Sequence, residues 1–216
     1  DLVTGVQTCA LPISQNQFDT IYHEHFSYFS FLTVNQVFKE HGLKIFDVDE
    51  LPTHGGSLRI YACHSENDRK VNNKVENLLQ FEIGKGMNQI DFYSNFSSKV
   101  EDIKRQTLRF LIEQKSLGKK IIGYGAAAKG NTLLNYCGIR MDFFDCVVDR
   151  NPHKQGKLLP GSRIPIRNPE IVFEEKPDYL FILPWNISEE IRHQMAGIRE
   201  WGGKFVVPVP ELIVID

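Results

Sequence analysis

A glycine-rich turn between a buried strand and a helix is the feature that most constrains the fold of this chain. Residues 123–128 read Gly-Tyr-Gly-Ala-Ala-Ala and fit the pattern GxGxxA. The run Lys119–Tyr124 predicts a strand before the turn, and Ala126–Tyr136 predicts a helix after it. Glycine allows the tight turn and the close approach that a strand–turn–helix unit of a doubly wound sheet requires.

The same alternation of strands and helices continues to the end of the chain. Helical spacing of Ile187, Ile191, Met195 and Ile198 predicts a further helix. Apolar runs predict strands at Phe143–Val148, 164–167, Tyr179–Leu183 and Phe205–Val207. Residues 118–216 are therefore predicted to form an α/β domain with a doubly wound, mostly parallel, Rossmann-like sheet.

A helix, two strands and a helical connector are predicted upstream of that domain. Thr33–Gln36 fits a capping box and predicts a helix that ends near Gly42, with Val34, Val37 and Phe38 inward. Strands are predicted at Leu43–Val48 and Leu58–Cys63, and helical periodicity within 66–117 predicts the connector.

The first residues look foreign to the rest of the chain. Thr4–Ile13 read TGVQTCALPI, which resembles the translation of a common sequencing-library adapter. Residues 1–14 are therefore interpreted as an artefact and left out of the fold prediction. We expect the natural protein to extend further upstream of residue 15.

Composition excludes several functional classes. The formal net charge of −2 gives no broad basic surface for nucleic acid, and no apolar run has the ~20 residues of a membrane span. The four cysteines lie far apart without a CxxC pair, so neither a zinc site nor a disulfide framework is predicted. A cytoplasmic protein is expected.

The glycine turn is a candidate phosphate site. The N-terminus of the following helix offers unpaired N–H groups and a partial positive charge, and Lys129 adds a full charge. Asp149 follows the next strand, where an acidic residue often meets a ribose hydroxyl. Small residues at such a turn also serve close packing alone, and Asp149 also suits a local turn with Asn151, so these alternatives stay open.

The string Tyr22-His-Glu-His25 is the densest group of ionisable side chains. Histidine accepts protons near neutral pH, a tyrosine hydroxyl stabilises a developing oxyanion, and a carboxylate orients an imidazole. These roles suit proton abstraction from a carbon beside a ketone. Metal binding by His23, Glu24 and His25, or a packed aromatic loop, are the alternatives.

Several strings in order closely resemble the S-adenosylmethionine-dependent C-methyltransferases of nucleotide-activated deoxysugars. They are FDTIYHEHFSYFS, LPTHGGSLRIYA, GYGAAAKGNTLLNYCGI, VDRNPHKQGKLLPG, PDYLFILPWN and WGGKFVVPVPE. The resemblance covers residues 15–216. It implies a zinc-binding amino-terminal module, a donor-binding methyltransferase domain and a Rossmann-like carboxy-terminal domain. By this resemblance residues 15–65 are the tail of the donor domain, with S-adenosylmethionine and zinc bound mainly by sequence upstream.

The resemblance also implies roles for individual residues. His25 would remove the proton from sugar C3 beside a C4 ketone, Tyr22 would assist the enolate, and Glu24 would hold the sugar or the imidazole. His54 in the HGGS turn is a substrate-binding candidate, with a turn or packing role as its alternative. The nucleotide diphosphate would contact the glycine turn and its surroundings, namely Gly123, Gly125, Ala126, Ala127, Lys129, Asn131 and Asp149.

The resemblance implies a monomer that binds a keto sugar linked to a nucleotide diphosphate, expected to be dTDP. A nicotinamide-dependent oxidoreductase and a non-catalytic nucleotide-sugar binding module are the alternative functions. Because strands 43–48 and 58–63 would have lost their neighbours, unpaired sheet edges are also expected.

Overall fold

The chain divides into two compact units, and it passes from one to the other within the YHEH string. The computed structural model describes residues 2–6, 12–13, 15–25, 27–51 and 56–216. One unit contains Glu24–Ser97 together with the first 16 residues, and the other contains Gln17–His23 and Ser98–Asp216. The boundary between the units, after Ser97, lies within the predicted connector 66–117.

The first unit is a three-stranded antiparallel sheet covered by helices. Its strands are β1 (Leu2–Val6), β2 (Leu43–Leu51) and β3 (Ser57–His64), in the order β1-β3-β2. Its helices are α1 (Phe31–Glu40), α2 (Asn73–Gly84) and α3 (Ile90–Ser94), and α4 (Phe96–Ser116) begins in this unit. The core lies between the sheet and the helices α1 and α2, and contains Phe31, Val34, Ile45, Val48, Leu58, Ile60 and Val75.

Helix α1 begins earlier than the capping box predicted. The Oγ of Ser30, not Thr33, accepts the N-cap hydrogen bond, which comes from the Thr33 N–H at 3.1 Å. Ser30 can cap because its backbone is extended while Thr33 is already helical. The shifted start also corrects the inward face, because Val34 is buried whereas Val37 is 44% exposed.

The predicted unpaired edge of β3 is wrong in the described part of the chain. β1 pairs with β3 in antiparallel register from Leu2↔Ala62 to Val6↔Leu58. A strand edge presents a row of unsatisfied N–H and C=O groups, and an extended segment that reaches it pairs with it. β1 falls within residues 1–14, which the sequence prediction had left out of the fold.

The second unit confirms the α/β, Rossmann-like fold class. Its sheet has the order β6-β5-β4-β7-β8-β9, with parallel pairing throughout except for the last strand. The strands are β4 (Ile121–Tyr124), β5 (Val147–Val148), β6 (Ile166–Arg167), β7 (Tyr179–Ile182), β8 (Lys204–Val207) and β9 (Ile213–Ile215). The helices are α5 (Ala128–Cys137), α6 (Ile171–Glu175) and α7 (Ser188–Gln194). Short 3₁₀ helices occupy Phe18–Thr20, Trp185–Ile187 and Ala196–Trp201.

Both faces of this sheet are buried, as a doubly wound fold requires. Ile122, Leu180 and Phe205 pack with Ile191 of α7 in one core cluster. Phe181, the next residue on β7, packs instead against the Phe144 ring at 5.2 Å between centroids. The period-2 alternation of strand side chains thus supplies a core to each face, which explains why these strands read as continuous apolar runs.

Candidate functional site

The strand order of the second unit reverses between β4 and β7, and the candidate site lies where these two strands end. Successive strands run from β4 through β5 to β6 on one side, and from β7 to β8 on the other. Ligands of open α/β sheets bind in the crevice at the carboxyl ends of the strands at such a switch point. The GxGxxA turn follows β4 there, and Leu183–Asn186 follow β7.

Glycine is required where these two turns meet. Gly125 has a φ of +93°, and a Cβ on it would lie 2.5 Å from Cδ of Pro184. A Cβ on Gly130 would lie 2.6 Å from Cβ of Leu183. Gly123 is instead packed within β4 against Val147, so its contacts favour the packing role that the sequence left open.

Asp149 makes its contacts within the turn itself. Its Oδ2 accepts a hydrogen bond from the Ala126 N–H at 2.7 Å, and its Oδ1 accepts one from the Asn151 N–H at 2.8 Å. Lys154 Nζ lies 3.3 Å from Oδ2 and donates to the Ala126 carbonyl at 2.8 Å. These contacts favour the local turn role of Asp149 over contact with a ribose.

Helix α5 starts without a side-chain cap. Its N-cap residue is Ala127, which has no side-chain acceptor. The first N–H groups of any helix lack acceptors inside the helix, so an anion is favoured at this end. Asn131, in the second turn, has a buried Oδ1 for which no partner is found among the described residues.

Lys129 lies at the centre of a cluster that we call the switch-point cluster, formed by Asp19, Lys129, Trp185 and Asn186. The Lys129 side chain is only 8% exposed. Its Nζ lies 4.4 Å from the centroid of the Trp185 ring and 3.3 Å from Oδ1 of Asn186. The Nε1–H of the same indole donates to Oδ2 of Asp19 at 2.7 Å. The indole therefore contacts a cation on its face and a carboxyl at its edge.

Burial perturbs both charged groups of the switch-point cluster. Asp19 is fully buried, and burial raises the pKa of its carboxyl to about 6, although the Trp185 hydrogen bond and the Lys129 charge act in the opposite direction. Burial lowers the pKa of Lys129, and the Asp19 charge partly offsets that change. Perturbed ionisable groups in a crevice are typical of functional sites.

The YHEH string is where the chain passes from the second unit to the first. Tyr22 and His23 group with the second unit, whereas Glu24 and His25 group with the first. Nδ1 of His25 lies 3.2 Å from the Tyr28 hydroxyl oxygen, and the two rings meet edge-on with centroids 6.0 Å apart. Among the described residues, no three His, Cys, Asp or Glu side chains cluster as metal ligands.

The structure brings together some of the predicted site residues and adds others. Gly125, Ala126, Ala127, Lys129 and Asn131 lie along one turn and the start of α5. His54 lies outside the described residues. Sequence reasoning missed Asp19, Trp185 and Asn186, although they stand in the strings FDTIYHEHFSYFS and PDYLFILPWN. Nothing in a linear pattern links two side chains 166 positions apart.

A comparison with known proteins finds a relative that matches most of the chain. The chain is 39% identical over 204 residues to the C-methyltransferase NovU of Streptomyces niveus. The match covers 94% of this chain and 49% of that protein, so the chain spans about half the length of this curated relative.

No helix in the described part of the chain has the length and apolar character needed to cross a bilayer.

A family model for the C-methyltransferase C-terminal domain matches residues 52–210, which include the whole sheet of the second unit except β9. That range is most of the chain, and it confirms the resemblance seen in the sequence. The chain belongs to the C-methyltransferase C-terminal domain family.

Proposed function

We propose that this chain is the substrate-binding part of an S-adenosylmethionine-dependent C-methyltransferase that acts on a nucleotide-linked 4-keto deoxysugar. The observation that carries the proposal is the 39% identity to a C-methyltransferase over nearly the whole chain. The switch-point cluster supports it, because a cation at the carboxyl ends of β4 and β7 suits a nucleotide diphosphate. We further propose a dTDP-linked substrate, a monomeric protein and a cytoplasmic location.

The chemistry that we assign to this chain is proton abstraction. His25 takes the proton from sugar C3, and the electron pair of that C–H bond becomes an enolate with the adjacent C4 carbonyl. Tyr22 donates a hydrogen bond to the enolate oxygen, and Glu24 holds the sugar or the imidazole. S-adenosylmethionine supplies the methyl group to the enolate carbon, and we assign neither this donor nor zinc to residues of the chain.

The contact between His25 and Tyr28 supports the role of His25 as the base. When Nδ1 carries the ring proton, it donates to the Tyr28 hydroxyl oxygen, and Nε2 keeps the basic lone pair. The contact holds the ring in place, and an imidazole held in place is what a general base needs before the substrate binds. The edge-on packing of the two rings favours one orientation of the imidazole.

The diphosphate part of the substrate is assigned to the second unit. The uncapped N-terminus of α5 and the charge of Lys129 suit an anion. Gly125 lets Pro184 pack closely against the turn, and the small, partly exposed residues Ala126 and Ala127 leave the backbone accessible. Asn131 offers a buried oxygen acceptor in the same helix. Asp149 contributes by holding the Ala126 N–H and thereby the shape of the turn.

The test replaces the imidazole in the complete protein that contains this chain. We expect His25→Gln to lower methyl transfer to a dTDP-4-keto-6-deoxysugar by roughly 100-fold or more, because general base catalysis contributes about that much. In deuterium oxide without methyl donor, the same variant should also lose exchange of the C3 proton. His41→Gln, an exposed histidine that follows α1, is the matched control and should leave both rates unchanged.

Full methylation by His25→Gln would remove His25 from the mechanism. If the unaltered complete protein transfers no methyl group to any 4-keto sugar nucleotide, the proposed substrate class is wrong.

A further inference from the structure

Asp19 is a buried carboxyl of the switch-point cluster for which the proposed reaction has no role. It precedes the YHEH string by only a few residues, and it is fully buried. We propose, on the basis of the proposed function, that Asp19 is a positioning residue of the diphosphate site. Its carboxyl fixes the Trp185 indole and takes up one proton when an anionic ligand binds beside Lys129.

The two carboxyl oxygens of Asp19 differ in their contacts. Oδ2 accepts the hydrogen bond from Trp185 Nε1–H at 2.7 Å. Oδ1 is buried and has no partner among the described residues. Ionised, this buried oxygen holds a charge that water does not solvate, which is unfavourable, and the backbone N–H groups of Asp19 and Thr20 offset that cost only in part. Oδ1 is therefore the atom that takes the proton, while Oδ2 continues to hold the indole.

The charge of the cluster explains why the proton matters for binding. Lys129 and an ionised Asp19 together carry no net charge, so the pair attracts a diphosphate weakly. A proton from solvent on Oδ1 cancels the negative charge of Asp19, so the pair then carries a net positive charge that attracts the diphosphate. No bond of the ligand changes in this step. Burial already raises the pKa of Asp19 to about 6, so a nearby anion needs to raise it only moderately for uptake to occur near neutral pH.

The groups around Asp19 determine which side chains can make ligand binding depend on pH. Trp185 and Asn186, from the turn after β7, are neutral at all relevant pH values. Tyr136 of α5 packs on the neighbouring Phe18 ring at 5.0 Å and stays neutral, because burial raises its pKa further. Lys129 of α5 supplies the charge that acts on the carboxyl. Lys104 of α4 lies over the Tyr136 ring at 5.0 Å.

The experiment measures proton uptake with the 216-residue chain itself. The probe is dTDP-glucose, a diphosphate diester whose own charge is constant near neutral pH. Calorimetric titrations in buffers with different ionisation enthalpies report the number of protons bound per ligand. We expect net uptake at pH 7.5 of up to one proton per ligand, and affinity that falls by up to about tenfold per pH unit above pH 7.

Two variants assign that proton to Asp19. Asp19→Asn keeps an oxygen acceptor for Trp185 and has no carboxyl, so it should bind dTDP-glucose without proton uptake and with a flat pH profile. Asp178→Asn is the matched control, because Asp178 also pairs with a lysine (Nζ of Lys119 at 2.8 Å) but immediately precedes β7, at its amino end. It should keep the uptake of the unaltered chain. Thymidine, which has no phosphate, should bind without proton uptake.

The outcomes separate this inference from the proposed function. In one outcome, dTDP-glucose binds and Lys129→Met abolishes the binding, which supports the diphosphate site. If this binding takes up no proton, or if Asp19→Asn still takes up the proton, the role of Asp19 is overturned and the diphosphate site stands. No binding of dTDP-glucose, or binding that Lys129→Met does not weaken, would overturn the diphosphate site and the role of Asp19 with it. Binding to the unaltered chain without proton uptake overturns the role of Asp19 even if a variant does not fold.

Discussion

At the residue scale, two kinds of position shape the candidate site. At the first kind there is no room for a side chain, and at the second kind a side chain is held by contacts on two sides. Gly125 belongs to the first kind, because both its backbone conformation and the Pro184 ring exclude a Cβ. Trp185 belongs to the second kind, because its indole contacts Asp19 at the edge and Lys129 on the face. Such residues fix the crevice before any ligand arrives, which is how binding sites limit the entropy lost on association.

A pair of glycine substitutions tests whether close approach at the switch point matters beyond backbone strain. Gly138, which follows α5, has a φ of +76° and no atom within 4 Å of the position that a Cβ would take, whereas Gly125 has a φ of +93° and Pro184 in contact. Gly138→Ala should destabilise the second unit by roughly 1–2 kcal/mol from the left-handed conformation alone. Gly125→Ala should lose about 1–3 kcal/mol more, from overpacking.

Tryptophan fluorescence during urea unfolding measures this difference, because both tryptophans of the chain, Trp185 and Trp201, lie in the second unit. Equal losses of unfolding free energy in the two variants would show that the Pro184 ring moves aside at no energetic cost. The expected loss of dTDP-glucose binding in Gly125→Ala alone provides a second comparison.

At the element scale, contacts from two directions hold the start of helix α1, which follows the YHEH string. The Phe31 N–H donates to Oε1 of Glu82 at 2.9 Å, and the Leu32 N–H donates to Oε2 at 2.8 Å. The Thr33 N–H donates to Ser30. The first three N–H groups of α1 therefore have acceptors, two of them on a residue of α2 that lies about 50 positions away. Glu82 is buried, and burial raises its pKa while the two backbone bonds act against that rise.

Removal of the Glu82 carboxylate tests this arrangement. Glu82→Ala leaves two buried or partly buried N–H groups without acceptors and should destabilise the first unit by about 1–3 kcal/mol. Glu76→Ala, on an exposed position of the same helix, should change the stability by no more than about 0.5 kcal/mol. Hydrogen exchange of peptides that cover Phe31–Glu40 measures the effect. Equal exchange in the two variants would rule out Glu82 as the cap of α1.

At the scale of the whole molecule, the two units differ in how completely their sheets are covered. The central strands of the second unit, β4, β7 and β8, carry fully buried side chains on both faces, including Ile121, Ile122, Leu180, Phe181 and Phe205. In β3, buried side chains alternate with partly exposed or exposed ones along much of the strand, and in β2 only Ile45 and Val48 are buried. Strands that are buried on both faces open less readily than strands with one solvated face.

Native-state hydrogen exchange of the 216-residue chain should reflect this difference. We expect the amides of β4, β7 and β8 to exchange most slowly, and those of β2 and β3 to exchange faster. Mass spectrometry of peptic peptides distinguishes the two units directly. Slower exchange in β2 and β3 than in β7 would contradict the expectation that the carboxy-terminal domain is the better-ordered part.

The sequence alone determined the features that depend on local periodicity and on residues in series. The alternation of apolar strands and helices predicted the doubly wound sheet, and GxGxxA predicted the turn before α5. The YHEH string and its companions predicted the family, and the family match over residues 52–210 confirms that family. Local patterns succeed here because the burial of a strand or a helix face is written into consecutive residues.

Only the tertiary structure decided which distant groups meet. The capping-box pattern placed the cap of α1 at Thr33, whereas the structure places it at Ser30 with help from Glu82. Pattern analysis left β3 with an open edge that β1 occupies, and it gave Asp19 no partner. A hydrogen bond between side chains far apart in the sequence depends on the path of the whole chain, so no window of neighbouring residues contains it.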